Sequence, residues 1–219
     1  TPTGGGADPE EADNLEIGVR YSDEDSYFEA VYFDTDYQNM FGECTASGGA
    51  TGSCEIGDSF NAGEASISGF ELVAQTEMTS ESGIKYPLSM VYTSTDASFD
   101  NTFDSDFWGS VTSGMDIPDL PDSQLALQAG FETQTGLRGS ATYYSYGSTC
   151  SVASCAAETS VDSYNVIDAS LTKMISDQLD VYVVVENITD ETDVVARAPK
   201  NGARAQKPCS FTVGVRYRL

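Results

Sequence analysis

Nine segments of the chain alternate apolar and polar side chains, and the connections between them alternate just as regularly between short and long. The segments are residues 15–22, 26–37, 64–78, 86–97, 124–132, 137–147, 164–175, 179–187 and 210–219. The last, SFTVGVRYRL, shows the pattern most clearly. Phe211, Val213, Val215, Tyr217 and Leu219 fall on one side, and Ser210, Thr212, Gly214, Arg216 and Arg218 on the other. A period of two is that of a strand with one apolar and one polar face. No segment of useful length carries the 3.6-residue period of a helix, so the chain reads as all-β.

The connections narrow this further. SDED at 22–25, TSESGIK at 79–85, TQT at 133–135 and SDQ at 176–178 are short. Residues 38–63, 98–120, 148–160 and 189–207 are long. Successive connections of an antiparallel meander lie at opposite ends of its sheet, so every short turn falls at one end and every long loop at the other. That asymmetry, with faces alternating along each strand, is expected of a transmembrane antiparallel β-barrel. A secreted β-sandwich or a soluble barrel also alternates, but nothing in a sandwich requires all its turns to be short at one end. In a closed barrel no sheet edge remains, so backbone groups within the membrane are all paired.

Composition excludes several functions. Ten basic residues against 35 acidic ones give a net charge of −25, the wrong sign for nucleic acid. There is no histidine, which removes Ser-His-Asp or Cys-His nucleophiles and histidine-based metal sites. No carboxylate pair stands out among so many, and no cofactor motif is present, so neither an enzyme nor a resident cofactor is expected. No apolar run approaches the roughly 18 to 20 residues of a transmembrane helix. The opening TPTGGGADPEEAD has neither the basic flank nor the apolar core of a signal peptide. Among the five cysteines, Cys44 with Cys54 and Cys150 with Cys155 form two close pairs in small, polar stretches. They read as loop disulfides of an oxidising compartment, since neither spacing is that of a zinc site. Cys209 is left over and is expected to act as a small apolar filler.

The segment VVVENITDETDVVARAPKNGARAQKPCSFTVGVRYRL resembles the end of TonB-dependent outer-membrane receptors. The resemblance rests on Asn187, Ile188, Thr189 and Asp190, then Arg197, Pro199, Gly202, Ala203 and Arg204, then Pro208, Ser210 and Phe211. Upstream, NAGEASISGFELVAQ is similar to a second family element through Asn61, Gly63, Gly69, Phe70, Glu71 and Leu72. FWGSVTSGMDIPDLPDSQLALQAGF resembles the stretch in which a long loop passes through proline into the next strand. The likeness extends over residues 14–219 and is to receptors of the ferric-citrate and ferric-siderophore kind. Two positions depart from the family: Cys209 stands where arginine follows the proline, and Leu219 where an aromatic residue ends the chain.

The resemblance implies a 22-stranded barrel with a plugged lumen, of which nine strands form the C-terminal part. On that reading residues 1–13 belong to an extracellular loop, residues 14–219 to the barrel, and the plug lies outside this chain. A companion polypeptide is then expected to carry the plug and the remaining strands, and to contact TonB through that plug. The implied setting is the bacterial outer membrane, amid its lipid and lipopolysaccharide, with long loops extracellular and the C-terminus periplasmic. The implied activity is import of a ferric chelate. An adhesive or structural surface barrel and a passive porin are the alternatives.

Candidate ligand contacts come from the long loops. Arg197, Lys200, Arg204 and Lys207 cluster in the last one and would attract an anionic chelate, or else meet lipopolysaccharide phosphates and neighbouring acidic loops. Phe103 and Trp108, with Phe99 and Phe107, either shape a vestibule or pack the loop at 96–122 down. That loop also holds Asp96, Asp100, Asp104, Asp106, Asp116, Asp119 and Asp122. Clustered carboxylates suit a hard cation, but DNTFDSD lacks the glycine and distal glutamate of an EF-hand loop. Asn187-Ile188-Thr189 has the form of a glycosylation sequon and is read as chance in a bacterial barrel.

Overall fold

The structure, a computed structural model, describes residues 9–44, 55–61, 63–105, 108–197 and 202–218. Cys54, Asp106, Phe107, Pro199, Lys200 and Leu219 lie outside the described residues. Nine strands form one sheet: β1 (Glu11–Ser22), β2 (Ser26–Gln38), β3 (Ala65–Thr79), β4 (Lys85–Phe99), β5 (Ser123–Glu132), β6 (Leu137–Tyr146), β7 (Tyr164–Ser176), β8 (Leu179–Glu186) and β9 (Ser210–Tyr217). Each strand is hydrogen-bonded to its neighbours in chain order, and every pairing is antiparallel. All nine alternating segments are strands. The ends differ by a residue or two, except that β1 begins at Glu11, ahead of the 15–22 segment.

The register carries one apolar face across all nine strands without a break. Directly opposed residues share a face in an antiparallel pair. From β1, Val19 opposes Ala30, which opposes Leu72, which opposes Tyr92, which opposes Leu125. At the far side, Leu171 opposes Val183, and Val183 opposes Val213. Aromatic residues stand at both margins of this face, Tyr21, Phe28, Tyr86 and Tyr217 toward the turns and Tyr32, Phe70 and Tyr143 toward the loops. The opposite face carries Gln75, Ser89, Gln128, Thr142 and Asp168 in a single cross-strand row.

Among the described residues, the apolar face is left uncovered. On the outer strands, Leu15, Ile17, Val19, Phe211, Val213 and Val215 are 57% to 76% exposed. Within the nine strands, the buried hydrophobic residues are Ala65 and Phe99, both at the loop end. A sandwich would bury one face of each sheet along its whole length, so this arrangement is not a sandwich. It is a wall whose apolar side needs an apolar solvent.

Two of the short turns share one chemistry. Ser80 and Thr133 each accept, through the hydroxyl, the backbone N–H four residues on, at Ile84 and Leu137 (both 3.1 Å). Gly83 and Gly136, both at φ 75°, sit just before those residues, where the chain takes a left-handed conformation. In the first turn Asp23 Oδ1 accepts the N–H groups of Asp25 (3.0 Å) and Ser26 (2.7 Å). In the last, a β-bulge between Met174 and Ser176 precedes a two-residue connection. At this end the Arg218 guanidinium pairs with the buried Asp180 (2.5 Å), tying the chain after β9 to the start of β8.

Candidate functional site at the loop end

The four long loops gather at one end of the wall, and each folds a short antiparallel ladder of its own. These are Phe41–Glu43 with Ser59–Asn61, Phe103–Ser105 with Gly109–Val111, Thr149–Cys150 with Ser160–Val161, and Val194–Ala196 with Arg204–Ala205. The alternation pattern does not announce them, because two or three residues are too few to show a period.

The loop between β4 and β5 folds back onto the polar face. Residues 115–117 run beside the end of β4, with Phe99 N–H donating to Met115 O (2.9 Å) and Ile117 N–H to Ala97 O (3.1 Å). Val111 and Ile117 pack on Ala65 and Phe99, with Ile67, Ala97 and Tyr37 around them. The register places Tyr37, Ala65, Ile67, Ala97 and Phe99 on the polar face, so this loop covers that face at its upper end. Trp108 lies 5.1 Å from Phe99 and 5.2 Å from Phe60, and Phe103 lies 5.4 Å from Phe99, ring centre to ring centre. Phe103 and Trp108 are therefore packing residues of this knot.

The last loop leans on the third loop and on the start of β7. Arg197 Nε donates to Ser160 O (2.5 Å), and Gln206 Nε2 to Asn165 O (3.0 Å). Lys207 pairs with Glu186 (2.6 Å), and Arg204 is exposed on its short ladder. Arg197 and Lys207 are thus separately engaged, one by the third loop and the other by Glu186. Cys150 and Cys155 are disulfide-bonded within the third loop. Cys44 is buried and disulfide-bonded. Cys209 corrects an expectation. Its thiol is exposed and free rather than packed as a filler, because the contact at this position is made by its backbone N–H, which donates to Asp190 Oδ1 (2.8 Å). A cavity of about 690 Å³ opens between the second and third loops, rimmed by Asp96, Asp116, Asp122 and Asp162. Among the described residues no three carboxylates or cysteines are grouped to hold a metal ion.

The residue that fastens this end is Asn187. It is buried, at φ 49°. Its amide donates to Glu191 O (2.8 Å) and Lys207 O (2.7 Å), bridging the two feet of the last loop. Its Oδ1 accepts Glu191 N–H (3.2 Å), and its own N–H donates to Asp168 Oδ1 (2.8 Å) on β7. The Asn-Ile-Thr-Asp element is therefore a structural clasp rather than a glycan acceptor. Its signal was present in the sequence as the start of the resemblance, without the reason for it.

Residues 1–188 match the family of TonB dependent receptor-like β-barrels. The chain belongs to that family. The apolar face is then the lipid-facing surface of an outer-membrane barrel, and the polar face lines the lumen. No curated protein matches the chain in sequence. The ferric yersiniabactin uptake receptor FyuA of Yersinia pestis superposes with a TM-score of 0.72 at 20% identity, covering 95% of this chain and 30% of that one. The ferric-catecholate import receptor Fiu of E. coli K12 gives 0.70 at 20% identity, covering 99% and 30%. The unliganded ferric citrate transporter FecA gives 0.72 at 16% identity, covering 95% and 31%. At such identities the likeness is one of fold. The chain spans about 30% of the length of these receptors.

Proposed function

We propose that this chain is the C-terminal part of the barrel of an outer-membrane active transporter driven through TonB, importing a ferric siderophore or similar iron chelate. The observation that carries the reading is the unbroken nine-stranded wall, apolar on one face and polar on the other, with every long loop at one end. In this reading the long loops are extracellular, the turns and the C-terminus are periplasmic, and residues ahead of β1 belong to an extracellular loop. The mouth built by the long loops meets the ligand, with Phe103 and Trp108 shaping it by packing and Arg197 and Arg204 adding positive charge to its rim.

The sheet order supports completion by further strands. β1 and β9 each have a neighbour on one side only, and unpaired backbone groups within hydrocarbon cost several kcal/mol apiece. Both strands run from the loop end to the turn end, so β1 of a second copy would meet β9 in parallel. An antiparallel ring therefore needs an odd number of additional strands. We assign them, with a plug that TonB pulls, to further polypeptide, continuous with this one or a companion to it. The test is uptake of radiolabelled ferric chelates by cells carrying the complete receptor. Uptake abolished by collapsing the proton gradient or deleting TonB supports active transport. Uptake that survives both is that of a passive pore, and ligand binding with no uptake is that of an adhesive barrel.

A further inference from the structure

Tyr146 on β6 and Tyr164 on β7 are direct register partners, and their rings stack at 4.8 Å with 23° between planes. Tyr146 opposes Gln124, and Gln124 opposes Thr93. The row thus lies on the lumen face, as the last cross-strand row of β6 and β7 before the third loop begins. Tyr144 stands two residues below on the same face. Aromatic strand residues on the lipid face, such as Tyr21, Phe28, Tyr86 and Tyr217, border the apolar band. A stacked pair on the polar side, at the mouth, has no such role.

Charge defines what this pair can meet. Strand positions on the lumen face in the loop half carry Glu16, Glu71, Asp168 and Glu186 and no described lysine or arginine. The described cations of the strands, Arg20, Lys85, Arg138, Lys173, Arg216 and, just past β9, Arg218, sit toward the turn end. At the loop end the described cations are Arg197, Arg204 and Lys207, of which Lys207 is paired with Glu186. The cavity between the second and third loops is lined by Asp96, Asp116, Asp122 and Asp162, which add negative charge at this end. A field of this sign repels a polyanion and is neutral or favourable to an uncharged or cationic ligand.

We propose that Tyr146 and Tyr164 form a lumen-facing platform that holds the planar aryl group of a ligand carrying no net negative charge. This rests on the transport reading above and narrows its ligand class. Offset stacking on a tyrosine ring supplies area and geometry without requiring charge, which suits strand positions of the lumen face whose loop half carries no described lysine or arginine.

The experiment uses the complete receptor in outer-membrane vesicles. Three ferric probes are compared: an aryl-bearing chelate with no net negative charge, a neutral trihydroxamate without rings, and a tris-catecholate with three negative charges. The aryl-bearing neutral complex should bind most tightly. Replacing both tyrosines (Tyr146→Ala with Tyr164→Ala) should weaken it about tenfold, at roughly a factor of three per lost ring contact. The double Tyr→Phe variant should stay within about twofold, since the ring is retained. Its affinity should not change with salt, whereas any binding of the trianion should improve as salt screens the rim. Tightest binding by the trianion, an unchanged affinity in the double alanine variant, or failure of the aryl complex to bind would each overturn the proposal. Uptake that persists without the proton gradient would instead overturn the transport reading, whatever the tyrosine variants do. Equal amounts of heat-modifiable barrel in the membrane control for folding.

Discussion

Asn187 does more for the loop end than its place in an apparent sequon suggests. Six hydrogen bonds converge on it, and it occupies a left-handed conformation that asparagine tolerates better than most residues. Asn187→Ala leaves Lys207 O and Glu191 O without their donor and should lower barrel stability by about 1–3 kcal/mol, read as earlier loss of the heat-modifiable form. Asn187→Gly, which relieves the backbone but not the hydrogen bonds, should not restore it. At the opposite end Asp23 is held as a carboxylate by the Tyr21 hydroxyl (2.8 Å) and by the Asp25 and Ser26 amides. Its pKa therefore lies below the usual 3.8, the Tyr21 hydrogen bond being the main cause. An acid whose folded pKa is depressed stabilises the fold at neutral pH, and that contribution is lost as pH falls through the folded value. The first turn should thus hold until the pH is below 3.8 and then loosen. Side-chain NMR of Asp23, followed with the amides of residues 25 and 26, checks this. A midpoint at or above 3.8 would contradict it.

Strands and turns were readable from the residues because their physics is local. LEIGVRYS and SFTVGVRYRL show their faces in the alternation itself, and the Ser/Thr-x-x-Gly turns show theirs in the glycines at 83 and 136. What did not show was how the long loops fold. Phe99, Trp108 and Val111 meet Tyr37, Phe60 and Ala65, which lie far away in sequence, and no period marks such a knot. Likewise Arg197, Arg204 and Lys207 look like one basic site along the chain. In the structure, the neighbouring loop takes up Arg197 and Glu186 takes up Lys207. The stacked Tyr146 and Tyr164 were missed because only the register brings them together. Close strand packing supplies a further test. A Cβ at Gly69 would lie 2.0 Å from Ser94 O and 2.7 Å from the Phe33 ring. Because one of these neighbours is backbone, Gly69→Ala must shift β3 against β4 and should destabilise the barrel by about 1–3 kcal/mol. The adjacent Ser68→Ala should stay within about 0.5 kcal/mol in the same denaturation series.

The molecule as a whole is one face of a boundary. Among the described residues, no protein core lies behind its apolar side and no second sheet lies in front of its polar side. Such a sheet is stable only with hydrocarbon on one side, a hydrated or plugged lumen on the other, and strands beyond both edges. The acidic loop end and the more basic turn end belong to the same design, since charge collects where the wall emerges into water. A direct test places single nitroxide labels along β5, from Gln124 to Gly130, in the complete receptor reconstituted in bilayers. Labels at Leu125, Leu127 and Ala129 should be reached by oxygen dissolved in lipid, and labels at Gln124, Ala126 and Gln128 by a water-soluble relaxant, in strict alternation. Odd positions reached by neither reagent would show these side chains packed inside a protein core, uniform accessibility would show a strand without two faces, and either result would contradict a membrane wall.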